Sequence, residues 1–130
     1  MVNVKGEESS GQPHGLKGFG AYQKALELFD LAVGDLAVLA RKPETARLVS
    51  QHIASADSIA ANIGEGYGRG SRKDYSHFLI IARGSAPETA GRYLRLPHWL
   101  PNVVVTDRAR LCQEIIGILT ATIRKLRLPE

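Results

Sequence analysis

One cysteine, Cys112, is all the thiol chemistry that 130 residues carry. That excludes a disulfide framework, and a thiolate metal cage, built within one chain. Long apolar runs are missing too; no stretch approaches the roughly 20 residues that a membrane-spanning helix needs. Glu-x-x-His pairs, by which helical bundles hold paired metal ions, do not occur. No glutamate has a histidine three residues on, and His14, His52, His77 and His98 fall on separate segments. The phosphate-loop spacing Gly-x-x-x-x-Gly-Lys-Ser/Thr is likewise absent. No metal and no cofactor are expected. Residues 1–15 are polar and include Glu7 and Glu8, unlike a secretory signal, so the expected location is the cytoplasm, away from any membrane.

What is present is an ordinary apolar fraction, 44%, in a chain of the length of one domain. The net charge of +4 is unevenly spread. Residues 1–65 hold six Lys/Arg against eight Asp/Glu, whereas residues 66–130 hold eleven against five. A basic half favours a surface that meets an anion, and nucleic acid is the commonest large one. Solubility and subunit pairing are the simpler use of the same charges.

Apolar periodicity predicts four helices after a flexible arm over residues 1–17. The first runs over 20–40, with a stripe of Tyr22, Leu26, Phe29, Val33, Leu36 and Ala40. The second runs over 44–65, with Ile53, Ala56, Ile59 and Ile63 inside and many small residues between them. Ser71 caps the third, and Asp74 completes a capping box. Pro87 falls inside that third helix, which predicts a kink near Arg83 or a split into two. Pro97 to Asn102 reads as a loop held by Trp99, Val103 to Val105 as an extended connection, and Thr106 or Asp107 as the start of the last helix. The fold class is all-α: an antiparallel up-down four-helix bundle over residues 18–130.

The segment 58–75 departs from core-filling. Four glycines at alternate positions, Gly64, Gly66, Gly68 and Gly70, are expected to stop the second helix, with Gly66 or Gly68 at positive φ. Arg69, Arg72 and Lys73 follow at the start of the third helix, where backbone N–H groups make one phosphate site plausible. Tyr67 is the exposed aromatic there and could stack on an unpaired base. Arg92, Arg95, Arg108 and Arg110 form a second basic zone. Glu65 reads as an ion-pair partner of Arg69, Arg72 or Arg83, and Ser58 and Asn62 as a hydrogen-bonding seam between helices or subunits. Arg83, Ser85 and Glu88 read as packing or interface positions. No nucleophile with a base partner is identifiable, and Cys112 reads as a small core residue, so no enzymatic activity is expected.

Gln51, Ser58-Ile-Ala-Ala-Asn-Ile-Gly-Glu-Gly66, Arg69-x-Ser71-Arg-Lys-Asp-Tyr75 and Phe78-Leu-x-Ile-Ala-Arg-Gly-Ser85-x-x-Glu88 resemble the four-helix-bundle proteins encoded in intervening sequences of bacterial 23S rRNA genes. Ala21-Tyr22-Gln-Lys-Ala-Leu-Glu-Leu28 is similar to that family's first helix. The resemblance implies a bundle without known enzymatic chemistry, sometimes labelled ribosomal. It also implies kinship with the accessory protein of diversity-generating retroelements, a basic homopentamer that binds nucleic acid and a reverse transcriptase. Two departures stand out: Ile53 and Ala54 occupy positions that are often basic in the family, and Pro87 with the Pro97–Pro101 loop replaces a smoother third helix.

The expectation is therefore a non-catalytic homo-oligomer, a ring of five, that contacts RNA or another nucleic acid through Arg69, Arg72, Lys73 and Tyr67. Ser58, Asn62, Glu65, Gly66, Arg83, Ser85 and Glu88 serve structure or interface. The alternative is a ring-forming scaffold with a protein partner and no nucleic-acid role.

Overall fold

The computed structural model of the protein describes residues 15–129. Most of the expected arm, residues 1–14, lies outside them; Gly15–Gly18 is a 3-10 turn. Four helices follow: α1 Gly20–Asp35, α2 Ala46–Tyr67, α3 Arg72–Tyr93 and α4 Asn102–Leu126. Two short 3-10 turns, Leu39–Arg41 and Pro43–Thr45, link α1 to α2, and there is no strand among the described residues. Each helix packs on its sequence neighbour, and α1 closes the ring on α4. Cross-helix pairs give the direction of each. Ser55 meets Thr89 and Ser58 meets Ser85, so rising numbers on α2 face falling numbers on α3. Asp35 meets Arg108 while Lys24 meets Glu114, which sets α1 against α4 in the same way. The bundle is antiparallel.

The core runs down the axis through Leu28, Ile59, Ile63, Leu79, Ile115 and Leu119, all fully buried. Burial of a side chain of that size stabilises the fold by about 1.5–3 kcal/mol. Of the stripe predicted for α1, Leu36 is buried and Tyr22 and Phe29 pack half-buried against the core, but the inward face is rotated from the predicted one. Ala21, Ala25, Leu28 and Ala32 are buried, whereas Leu26 and Val33 are exposed. Alanines let the α1 backbone approach its neighbours closely, so the smaller apolar stripe wins over the larger one. The α-helix also stops at Asp35 rather than near Ala40. Ala37 N–H turns to Gly34 O, and the chain tightens into 3-10 geometry. Thr45 closes that linker, its buried Oγ1 donating to Leu39 O at 2.6 Å.

Three further expectations need correction. α3 is one helix from Arg72 to Tyr93, not two. Pro87 sits on its exposed side, where water can serve the Arg83 carbonyl that loses its helical donor. Val103 to Val105 is the first turn of α4, which starts at Asn102 after Pro101. Seven-residue steps join Val105 to Cys112 and Leu119, all buried, and this helical register overrides the local β preference of valine. The loop before α4 is anchored by Leu96, which is buried and bonded through its backbone to Tyr93, Trp99 and Leu100. Trp99 itself is exposed.

Candidate nucleic-acid interface

The glycine corner obeys packing, not unusual dihedrals. α2 runs through Gly64 and Gly66 to Tyr67, and Gly68 ends it at φ −78°. Gly15 is the glycine with positive φ among the described residues. Gly66 is there because α3 comes too close for a side chain. A Cβ at that position would lie 2.7 Å from Phe78 Cβ and 3.1 Å from Tyr75 Cδ1. Ser71 caps α3 as expected, its Oγ accepting from Asp74 N at 3.1 Å.

The charged residues of this corner do not converge. Arg69 donates to Glu65 at 2.7 Å, and its guanidinium lies 4.8 Å from the Phe78 ring centroid. It covers Phe78 with its charge met by a neighbour one turn back. Arg72 reaches across to the last turn of α4, where Nη2 donates to Lys125 O at 2.9 Å and Nε to Leu126 O at 3.3 Å. That satisfies carbonyls which a helix end otherwise leaves without donors. Tyr67 is half-buried, edge-on to Tyr75 and close against Gly15, rather than an open stacking surface.

The small polar residues form a seam between α2 and α3. Ser55 and Thr89 are 2.6 Å apart, Ser58 and Ser85 2.9 Å, and Asn62 Nδ2 donates to Ser58 O and Oγ. Ser55 and Thr89 were not singled out in the sequence; their spacing to Ser58 and Ser85, one turn along each helix, is the signal that would have found them. Glu88 pairs with Arg92, which also donates to Gln51, and Arg83 donates to Thr120 at 3.4 Å.

The second basic zone is largely neutralised. Arg108 grips Asp35 with Nε at 2.8 Å and Nη2 at 3.0 Å, and it also pairs with Asp107. Arg110 pairs with Asp107 and Glu114, and Lys24 joins Glu114. Arg110, then Arg108, hold the Asp107 carboxyl below its usual range; Lys24, then Arg110, do the same for Glu114. Tyr93 donates to Asp35 at 2.7 Å, and burial followed by that hydrogen bond drives its phenol far up. His52 from α2 stands edge-on to Tyr93 with ring centroids 4.4 Å apart. Burial, reinforced by Arg92, lowers the imidazole to about 4. Burial pushes the Cys112 thiol up to about 11, and the side chain is sealed in the core.

A further group of cations gathers between the start of α3 and the end of α4. A recess of about 540 Å³ lies between the start of α3 and the end of α4, lined by Arg72, Lys73, Ser76, His77, Ile80 and the Leu126–Pro129 end. A shallower hollow of about 380 Å³ continues from it through Arg127 and Leu128 to Arg83, Thr120 and Arg124. No acidic side chain among the described residues lines either one. Lys73 and Arg72 were expected near an anion, whereas Arg124, Arg127 and His77 were not. Antiparallel packing is what brings the α4 terminus beside the α3 start.

No other cluster of the described residues suggests metal chemistry: none holds three or more His, Cys, Asp or Glu in a metal-binding arrangement. No helix of the described residues is long and apolar enough to cross a membrane. No curated protein matches the chain. Among solved structures, a protein of unknown function from the S23 ribosomal protein family of Bacteroides thetaiotaomicron is similar at a TM-score of 0.74 and 25% identity, over 80% of this chain and 98% of that one. The family described as 23S rRNA-intervening sequence protein matches residues 17–121, so its last matched residue precedes the α4 wall of the recess. With a closed bundle of four helices and a match across most of its length, the chain belongs to the 23S rRNA-intervening sequence protein family.

Proposed function

We propose that this protein is a non-catalytic, self-associating cytoplasmic bundle that binds single-stranded RNA along the furrow between α3 and α4. The observation that carries this reading is the run of Lys73, Arg83, Arg124 and Arg127 around two connected hollows, with no acid among the described lining residues. Arg69, Arg92, Arg108 and Arg110, by contrast, are each met by Asp or Glu one turn away or across a helix pair. Glu65 is exposed and paired with Arg69, which supports a structural role. Self-association is supported by Leu26 and Val33, exposed two turns apart on the outer face of α1. The number five rests on likeness to the retroelement accessory protein. Repetition of the furrow around a ring would let several weak phosphate contacts act together.

Fluorescence anisotropy with a labelled single-stranded RNA, titrated at several salt concentrations, tests the RNA half. Each phosphate contact contributes about 0.7 to the slope of log affinity against log salt for a single strand. Arg124→Ala with Arg127→Ala should weaken binding and reduce that slope by about 1.4. Arg108→Ala should leave the slope unchanged. Absence of binding at low salt rejects the RNA reading and leaves the exposed α1 face, and so a protein-only scaffold, as the better account. Light scattering tests assembly: one chain's mass at micromolar concentration defeats the ring.

A further inference from the structure

Ser76 lines the recess between α3 and α4, and its hydroxyl is a polar group that the fold does not serve. Ser76 is only 4% exposed, and its Oγ is buried with no hydrogen-bond partner. A helical serine or threonine can return its hydroxyl to the carbonyl four residues back, as Thr89 does to Ser85 and Thr122 to Ile118. Ser76 does not. A buried hydroxyl without a partner costs stability, and a ligand that supplied one would recover that cost on binding.

The walls around Ser76 divide by chemistry. Lys73, His77 and Arg127 bring N–H donors to the rim, while Ile80, Leu126, Leu128 and Pro129 provide apolar surface. Arg72 is already engaged with the α4 carbonyls, so Lys73 and Arg127 are the cations to assign to an anion. At about 540 Å³ the recess is in the size range of small-molecule sites. A bare phosphate would use the cations and leave the apolar walls wet. A stacked duplex offers no separate base to insert. An unpaired nucleotide carries one phosphate and one flat, largely apolar ring with polar edges, and it uses both kinds of wall.

We propose that this recess binds a single unpaired nucleotide, with its phosphate on Lys73 and Arg127, its base against Ile80 and Leu128, and a hydrogen bond to Ser76 Oγ. The proposal rests on the reading of the furrow as an RNA surface and gives that surface a preference: free ends and splayed bases over duplex.

Isothermal titration of the full chain with adenosine 5′-monophosphate, uridine 5′-monophosphate, adenosine and inorganic phosphate tests it. A nucleoside monophosphate should bind at least tenfold tighter than either phosphate or nucleoside. Ser76→Ala should weaken that binding about five- to tenfold, the weight of one hydrogen bond, while the urea midpoint stays level or rises because nothing in the fold loses a partner. Three results overturn the proposal: mononucleotide no tighter than phosphate, affinity untouched in Ser76→Ala, or a lowered urea midpoint in that variant. Mononucleotide silence with salt-dependent RNA binding intact refutes the recess and keeps the furrow. Mononucleotide binding with no RNA affinity at low salt keeps the recess and refutes the furrow.

Discussion

Acid should unfold this bundle earlier than its carboxylates alone would require, and His52 is the reason. The imidazole is almost fully buried against the Tyr93 ring, and its Nε2 has no hydrogen-bond partner. Burial is the largest cause of its fall from 6.5 to about 4; Arg92 and Arg95 add to it, and Asp35 opposes it. The folded protein therefore prefers the neutral ring, and the unfolded chain takes up the proton first. Stability from this group is complete above about pH 6.5 and is lost progressively as pH falls towards 4. At about 1.36 kcal/mol per pH unit, that interval is worth about 3 kcal/mol, a large part of the 5–15 kcal/mol that holds a typical domain together. Urea unfolding followed by circular dichroism at pH 7.5, 5.5 and 4.2, on wild type and His52→Leu, separates this loss from that of carboxylates shared by both proteins. Wild type should lose about 2–3 kcal/mol more than the variant between the extremes. Parallel losses would refute the argument, because they would mean that the ring is charged in the folded state or that water reaches it.

Two other perturbations have definite signs. Gly66→Ala places a methyl 2.7 Å from Phe78 Cβ and should cost about 1–3 kcal/mol in urea unfolding. Gly84→Ala and Gly117→Ala, in helical positions with nothing within 4 Å, should instead stabilise by about 0.5–1 kcal/mol each; the same sign at all three positions would contradict the packing described. Arg108→Ala leaves Asp35 without its two-pronged partner in a half-buried site and should cost about 3 kcal/mol. Arg110→Ala, on the exposed side of the same cluster, should barely move the midpoint, because solvent screens that pair; thermal midpoints that fall equally for the two variants would refute the distinction.

The fold was legible where the signal was local. Helical spacing gave four segments, the Ser71 cap was readable from Ser and Asp three apart, and the serines and Asn62 announced a polar seam. The register of α1 was not legible. Tyr22, Leu26, Phe29 and Val33 form a stripe of larger apolar side chains than Ala21, Ala25, Leu28 and Ala32, and only the closeness of the neighbouring helices makes the second set the inner one. Three successive valines at 103–105 favour a strand by propensity, yet the periodic match to Cys112 and Leu119 lies ahead of them in the chain, where a local window does not look. The candidate site failed for a related reason. Counting charges along the chain placed Arg108 in a basic zone, but besides neighbouring Asp107 it is gripped by Asp35, 73 residues away on α1. Lys73 and Arg127 are 54 residues apart and come to one recess only through the antiparallel return of α4. Ser76 carries no sequence signal at all; only the lack of a partner in three dimensions marks it out.

Asp35 gives the two ends of the bundle different mechanical characters. Its carboxylate ties the end of α1 to Tyr93 of α3 and Arg108 of α4, and His52 brings α2 onto the same knot. At the opposite pole, Arg72 donates to main-chain oxygens of Lys125 and Leu126. Local opening that separates the helices would then cost most at the Asp35 pole, where side chains of all four meet in one cluster. A molecule so fastened can admit a visitor at one tip without paying to loosen the whole.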